Sequence, residues 1–409
     1  MKIKLFFVVF AFGACGCTGS STQGDGSVEE IMVGGNKVFV CVLDKVKSGT
    51  VTIPLSSLVE DFEIVQFENS EDAFFNPYAI ITVLENYISV RQRNFDSYKL
   101  FDRSGKFLCN VSKRGRGPGE FPNSLYDDII DEKNGLIYLT NVVMDKILVY
   151  SISGHFLKDI VAPQLMYSPK MFLSDGNILT VVCSPRKFQH GSRTFDETDG
   201  MVFQFDAKTG ELLEKIAPPE HLILRNIGIE ILSQQNVSGV FDFVPFYFET
   251  AQYDTLYHIN VKKNQIVPFY AMQYKLTQPR EKPIFFQLNK NLMMTTLIKQ
   301  NPAGHSDEID LIAIDLKSKT SRRVKILNDY LGSMNALPVA YYRRFHKGYY
   351  VLCHQPEDLM EDIEARLAER TCTEADREVL KKTLSKLKEG TNNVALIGKL
   401  KDEIATKLW

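Results

Sequence analysis

Tyr98-Lys99-Leu100-Phe101-Asp102 decides the fold, because its pattern, an alternating apolar strand running into a polar turn, returns four more times. The copies are Ile147-Leu148-Val149-Tyr150-Ser151, Val202-Phe203-Gln204-Phe205-Asp206, Leu256-Tyr257-His258-Ile259-Asn260 and Leu311-Ile312-Ala313-Ile314-Asp315. Their turn positions are 49 to 55 residues apart, a period that suits one four-stranded blade of a β-propeller. Short runs of period-two alternation surround each copy and supply the other strands.

The first blade reads as 79–83, 87–90, 98–101 and 106–111, and the second as 127–130, 136–140, 147–150 and 156–160. The third reads as 170–173, 178–182, 202–205 and 212–216, and the fifth as 283–288, 292–298, 311–314 and 323–326. In the fourth, 256–259 and 265–270 are clear, while the inner strands fall between His221 and Phe248 in a register the pattern does not fix.

The sixth begins with Val339 to Arg343 and 349–352, then changes period. From Glu357 to Arg370 and from Glu374 to Lys388 the apolar spacing is helical, with Thr373 and Asp376 as a capping box and Gly390 as a stop. Strand returns at 394–400. The alternating segment Phe62 to Phe67, upstream of blade one, is then free to complete blade six and leave no open sheet edge. The expected fold is all-β: a six-bladed propeller closed by its N- and C-terminal segments, with a two-helix insert over 355–390 in the last blade.

The 409 residues are 44% hydrophobic, 11% aromatic and 24% charged, a composition that fits one water-soluble body with a full core over 36–409. Lys and Arg number 48 against 50 Asp and Glu, so no global field draws in nucleic acid or an acidic membrane. The first residues differ. Lys2 and Lys4 precede an apolar run, Leu5 to Ala14, too short to span a bilayer, which reads as an export signal over 1–16. Gly13-Ala14-Cys15-Gly16-Cys17 resembles a lipobox. Cys17, with Ala14 three residues before it, is the preferred lipidation site, and Cys15 the alternative. A Gly, Ser and Thr-rich tether is expected over 17–35. The other five of the seven cysteines are scattered, without metal spacing, and read as buried free thiols.

The loop Lys113-Arg114-Gly115-Arg116-Gly117-Pro118-Gly119-Glu120-Phe121 has the glycines and cations of a phosphate cradle, but a strand rather than a helix follows it. The favoured reading is structural: glycines for the crossing to the next blade, and Phe121 in the seam. Gly115 to Phe121, followed by Gly135-Leu136-Ile137-Tyr138-Leu139-Thr140-Asn141, Lys146 to Tyr150 and Gly154-His155-Phe156-Leu157, resembles the NHL-like propeller repeat. With the lipobox and the closing Asn392-Asn393-Val394-Ala395-Leu396-Ile397, the chain resembles the six-bladed propeller lipoproteins of Bacteroidetes. That resemblance implies a cell-envelope location with a lipid anchor in the outer membrane, periplasmic or surface-exposed, and no settled activity.

Strands counted outward from the axis as A to D send the B-to-C loops and D-to-A crossings to one face, where long loops collect. A ligand site is expected there, with Arg91, Arg93, Arg186, His190, Arg193, Tyr342 and Arg343 as candidates suited to a carboxylate or a sugar. No GxSxG or HExxH motif is present, and the seven histidines do not pair at ligand spacing. No catalytic residue, metal or cofactor is therefore assigned. The leading expectation is a monomeric, non-enzymatic module binding a small molecule, a glycan or an envelope protein, touching the bilayer through its anchor alone. The alternative is a metal-dependent lactonase, a lyase or a glycan-active enzyme with its site at the central channel, where Asp127 and Asp128 are within reach.

Overall fold

The computed structural model describes residues 24–92, 97–122, 124–174, 177–190, 193–197, 200–222, 224–225, 230–246, 255–274, 281–300, 306–337 and 344–404. They form six blades. Blade one is Ile80–Val83, Tyr87–Arg91, Tyr98–Asp102 and Phe107–Ser112; blade two is Leu125–Asp131, Leu136–Asn141, Val143–Ser151 and Phe156–Tyr167. Blade three is Lys170–Leu173, Ile178–Val182, Val202–Asp206 and Leu212–Ile216; blade four is Glu230–Leu232, Phe241–Phe246, Thr255–Asn260 and Gln265–Gln273. Blade five is Glu281–Gln287, Leu292–Gln300, Ser306–Asp315 and Thr320–Asn328; blade six is Phe345–His346, Tyr349–His354, Val394–Leu400 and, from the other end of the chain, Val59–Gln66. The inner strand expected at Val339 to Arg343 lies outside the described residues.

Period-two alternation makes each strand face two seams, and the apolar core divides accordingly. Leu100 packs with Phe121, Leu125 and Tyr150 between blades one and two. Its neighbour Phe101 packs the other way, with Val65, Val351 and Ile397 between blades six and one. Further clusters fill the seams between blades two and three, three and four, four and five, and five and six. Six seams close a ring. At the last of them Val59–Gln66 pairs antiparallel with Val394–Leu400, Gln66 opposite Val394, so the expected closure by both termini is present.

The N-terminal segment does more than close the ring. Val28–Val33 and Asn36–Val42 form a hairpin whose second strand pairs parallel with Gln265–Gln273, which widens blade four to six strands. Lys47–Pro54 then pairs parallel with Thr320–Asn328 on the outside of blade five, before Val59 begins blade six. The chain is a belt around three blades, fixed by Cys41, Ile53, Leu55, Leu58 and Val59, all fully buried. The tether expected over 17–35 is corrected accordingly: Val28–Val33 is strand, because Val28 buries against blades four and five. At Asp25 the carboxylate pairs with Arg322 at 2.7 Å, at the foot of the last strand of blade five.

The insert is two helices, α1 (Pro356–Ala368) and α2 (Glu374–Leu384). Pro356 at the first turn and buried Leu359 and Ile363 set α1. The Thr373 and Asp376 capping box opens α2 as expected. Gly390 is not its stop; the helix ends at Leu384 with Ser385 as cap, and Gly390 instead donates its amide to Glu357 Oε1 at 2.6 Å. Leu380 of α2 lies against Gly332, where any Cβ would fall within 3 Å of the leucine side chain. Among the described residues, no helix is long and apolar enough to cross a membrane. Cys41, Cys109, Cys183, Cys353 and Cys372 are free; Cys41, Cys183 and Cys372 are buried as expected, while Cys109 and Cys353 are only partly so.

Candidate functional site

Inner strands begin, and second strands end, on the face that carries the B-to-C loops. A cavity of about 460 Å³ opens there. Blade one supplies Ile80, Ile81 and Arg91; blade two, Tyr126, Asp127 and Val142; blade three, Lys170. Blade four supplies Glu230, Leu232, Ser233 and Gln234, and blade six Arg344, His346, Val351 and Cys353, with Tyr78 at the rim.

The two neighbouring carboxylates of blade two go to opposite sides of their strand. Asp128 is buried in the seam with blade one, where Arg91 Nε donates to Oδ1 at 3.0 Å, and Tyr98 Oη and Ser89 Oγ donate to Oδ2 at 3.0 and 3.2 Å. Burial alone would raise its pKa; the charges of Lys347 and Arg91 outweigh that and hold the carboxyl far below the ordinary range. Asp127 faces blade three. Its Oδ1 lies 3.3 Å from Lys170 Nζ, and its Oδ2 accepts the Met171 amide at 2.8 Å.

Lys170 also stands over the Tyr126 ring, 4.5 Å from its centre. Tyr126 donates its hydroxyl across to Glu230 Oε1 at 3.2 Å, linking blades two and four. Burial and the Glu230 charge push the phenol far above its ordinary value, so it remains a donor. His346 is driven well below its ordinary value by burial and by the nearby Lys347 and Lys170 charges, and is neutral at pH 7. Gln234 is only 5% exposed; its backbone amide donates to Asp242, and its side-chain amide makes no hydrogen bond to a described residue.

Of the residues expected from sequence, Arg91 lines the cavity, although its guanidinium is committed to Asp128 and to the Leu125 carbonyl. Arg186 and His190 end the strand Arg186–His190 and Arg193 begins its hairpin partner Arg193–Glu197, a pair inserted between the second and third strands of blade three. The side chains of that hairpin, and Arg93, Tyr342 and Arg343 entirely, lie outside the described residues. The phosphate-cradle loop is occupied by its own acid: the Gly117 amide donates to Glu120 Oε2 at 2.9 Å, and Lys113 stands 3.4 Å from Oε1. The Gly117 bond outweighs desolvation and keeps that carboxyl below its ordinary value. A side chain at Gly115 would strike Glu120, and Gly119, at φ +70°, seats Phe156. The loop's glycines are structural.

Sequence reasoning did not find Tyr126, Lys170, Glu230 or Gln234. They come from three different blades, Tyr126 from blade two, Lys170 from blade three and the other two from blade four, where the strand register was unreadable. A second cavity of about 480 Å³ lies between α1 and the rim of blade five, with Lys325, Asn328, His354, Asp362 and Arg366 among mixed polar and apolar walls. Among the described residues no three His, Cys, Asp or Glu side chains gather as metal ligands do.

Residues 38–399 match the family described as a domain of unknown function (DUF4934), and the chain belongs to that family. Among solved structures it resembles a protein described as exported, from Bacteroides fragilis, at 13% identity and a TM-score of 0.56, covering 89% of this chain and 99% of that one. It also matches a member of the DUF4221 family from Bacteroides vulgatus at 11% identity and a TM-score of 0.44, covering 84% and 98%. The first likeness is one of fold. No curated protein matches the chain.

Proposed function

We propose that this protein is a lipid-anchored binding module of the bacterial envelope, monomeric, attached to the outer membrane through Cys17 (or Cys15), with its ligand held at the channel mouth. The carrying observation is the cavity itself: about 460 Å³, within the range of small-molecule clefts, and walled by side chains from five blades. A ring closed at six seams gives those side chains a rigid frame, as a preorganised site needs.

The position of the anchor favours access. Asp25 and Gly24 sit against Arg322 and Lys319, at the hairpin joining the third and fourth strands of blade five. Strand alternation puts that hairpin on the side away from the B-to-C loops. Six residues lie between Cys17 and Gly24, a span of at most about 25 Å when extended. The mouth then points away from the membrane that holds the lipid, open to a small molecule, a glycan or a partner protein.

A thermal-shift screen of small molecules on the mature protein tests the binding role. A ligand that raises Tm for the native chain and not for Glu230→Gln is the expected result. Ligands whose effect is indifferent to Glu230 would sink the site, and retention of radiolabelled palmitate by a Cys15→Ser, Cys17→Ser double variant would sink the anchor.

A further inference from the structure

We infer that the ligand at the channel mouth is a neutral carbohydrate, an inference that rests on the binding reading above and names its ligand class. The wall sets four demands. Arg91 is matched by Asp128 at 3.0 Å and Lys170 by Asp127 at 3.3 Å, so the carboxylates inside answer these cations and an anionic ligand would have to displace a partner already in place. Glu230, half-buried, holds one oxygen on the Tyr126 hydroxyl, and its other oxygen takes no hydrogen bond from a described residue; it suits a donor and repels an anion.

Gln234 sharpens the choice. The residue is 5% exposed, lines the cavity, and its carboxamide makes no hydrogen bond to a described residue, so it can be met by one group that accepts from its NH₂ and one that donates to its oxygen. A hydroxyl does both, whereas a carboxylate or phosphate only accepts and an ammonium only donates. Several hydroxyls on one molecule satisfy Gln234 and Glu230 together. The fourth demand is apolar. Tyr78 is 88% exposed at the rim, its backbone amide fixed by Asn76 Oδ1 at 2.8 Å, and Ile80, Leu125 and Val142 line the wall. A large ring left in water beside a polar cavity offers a stacking face for the C–H side of a sugar ring. Hydroxyl edges and apolar faces occur together in a pyranose, and not in a peptide terminus or a phosphate ester.

The test is isothermal titration of the mature protein with neutral mono- to trisaccharides, uronic-acid oligosaccharides and short peptides, repeated on Tyr78→Ala and Gln234→Leu. Binding of a neutral sugar that weakens at least tenfold in both variants, with Tm unmoved in Tyr78→Ala, is expected. Leucine keeps the volume of glutamine without its amide, so a merely structural Gln234 would lose no sugar affinity on that change. Acidic sugars or peptides binding in place of neutral sugars, and lost in the same variants, overturn the ligand class while leaving the site standing. Neutral sugars bound equally by all three proteins, or by none at millimolar concentration, overturn the inference.

Discussion

Asn393 in the closing blade and Gln234 at the channel mouth are carboxamides buried to nearly the same depth, 4% and 5% exposed. Their surroundings differ in kind. Asn393 Nδ2 donates to the Phe75 carbonyl at 2.6 Å, and its neighbour Asn392 donates to the carbonyls of Glu68 and Ala73, both at 2.9 Å. These amides tie the C-terminal strand to the segment that leads from the N-terminal strand into blade one, and each side-chain NH₂ donates to a carbonyl of the protein. Gln234 has no described partner for its amide. Burial of polar groups is common to both regions; satisfaction is what separates a joint from a receptor.

The largest expected effect lies where a charge, rather than an amide, is fully partnered. Asp128→Ala leaves the Arg91 guanidinium buried with only the Leu125 carbonyl and deprives Tyr98 and Ser89 of their acceptor. Removing one partner of a buried pair costs about 3 to 5 kcal/mol, read from urea unfolding. A loss under 1 kcal/mol would mean that Asp128 belongs to the mouth and not to the seam. Next comes Asn393→Ala. It orphans a carbonyl inside the closing contact and should cost about 1 to 3 kcal/mol, and no loss would break the comparison on its structural side.

The sequence made the joint legible and the receptor illegible for one physical reason. Alternation at Phe62 to Phe67 and Val394 to Leu400 is a property of contiguous chain, so the closing pair could be matched by pattern. The belt at 28–54 was missed because its strands pair with outer strands far away in sequence and carry exposed polar residues between the buried ones, as at Lys47–Pro54. The mouth takes a few residues from each of five blades, and only tertiary packing brings Tyr126 to Glu230, 104 positions apart. Arg91, chosen as a cation near the loop face, reached the cavity wall, but its position gave no sign that Asp128 would hold it.

Acid separates the regions on a smaller scale. Burial pushes His258 and His354 down to about 4, and holds His346 at the mouth well below its ordinary value. All three are neutral in the native state, while in the unfolded chain histidine takes up its proton near pH 6.5. Below that pH the unfolded state binds more protons, so stability is full above about pH 6.5 and falls as pH drops toward 4. Asp128, held low in the native state, adds its own loss only below about pH 4. Tm measured from pH 7.5 to 4.5 should drop by several degrees, less in His346→Gln. A flat profile across that window would show that the histidines charge freely.

The smallest stability effect is the most discriminating. Gln234→Leu removes an amide that faces the cavity and makes no hydrogen bond to a described residue, and replacing such a group by an apolar one of similar volume is nearly neutral or stabilising, within about 1 kcal/mol. Leucine at 234 should therefore leave the urea midpoint unchanged or raise it, where the same loss of an amide at Asn393 lowers it. A fall of the Asn393 size would show that Gln234 is already hydrogen-bonded inside the folded chain, as the closing amides are. The amide would then be one more joint of the ring, and Gln234 would no longer offer the channel mouth an unanswered amide with which to receive a ligand.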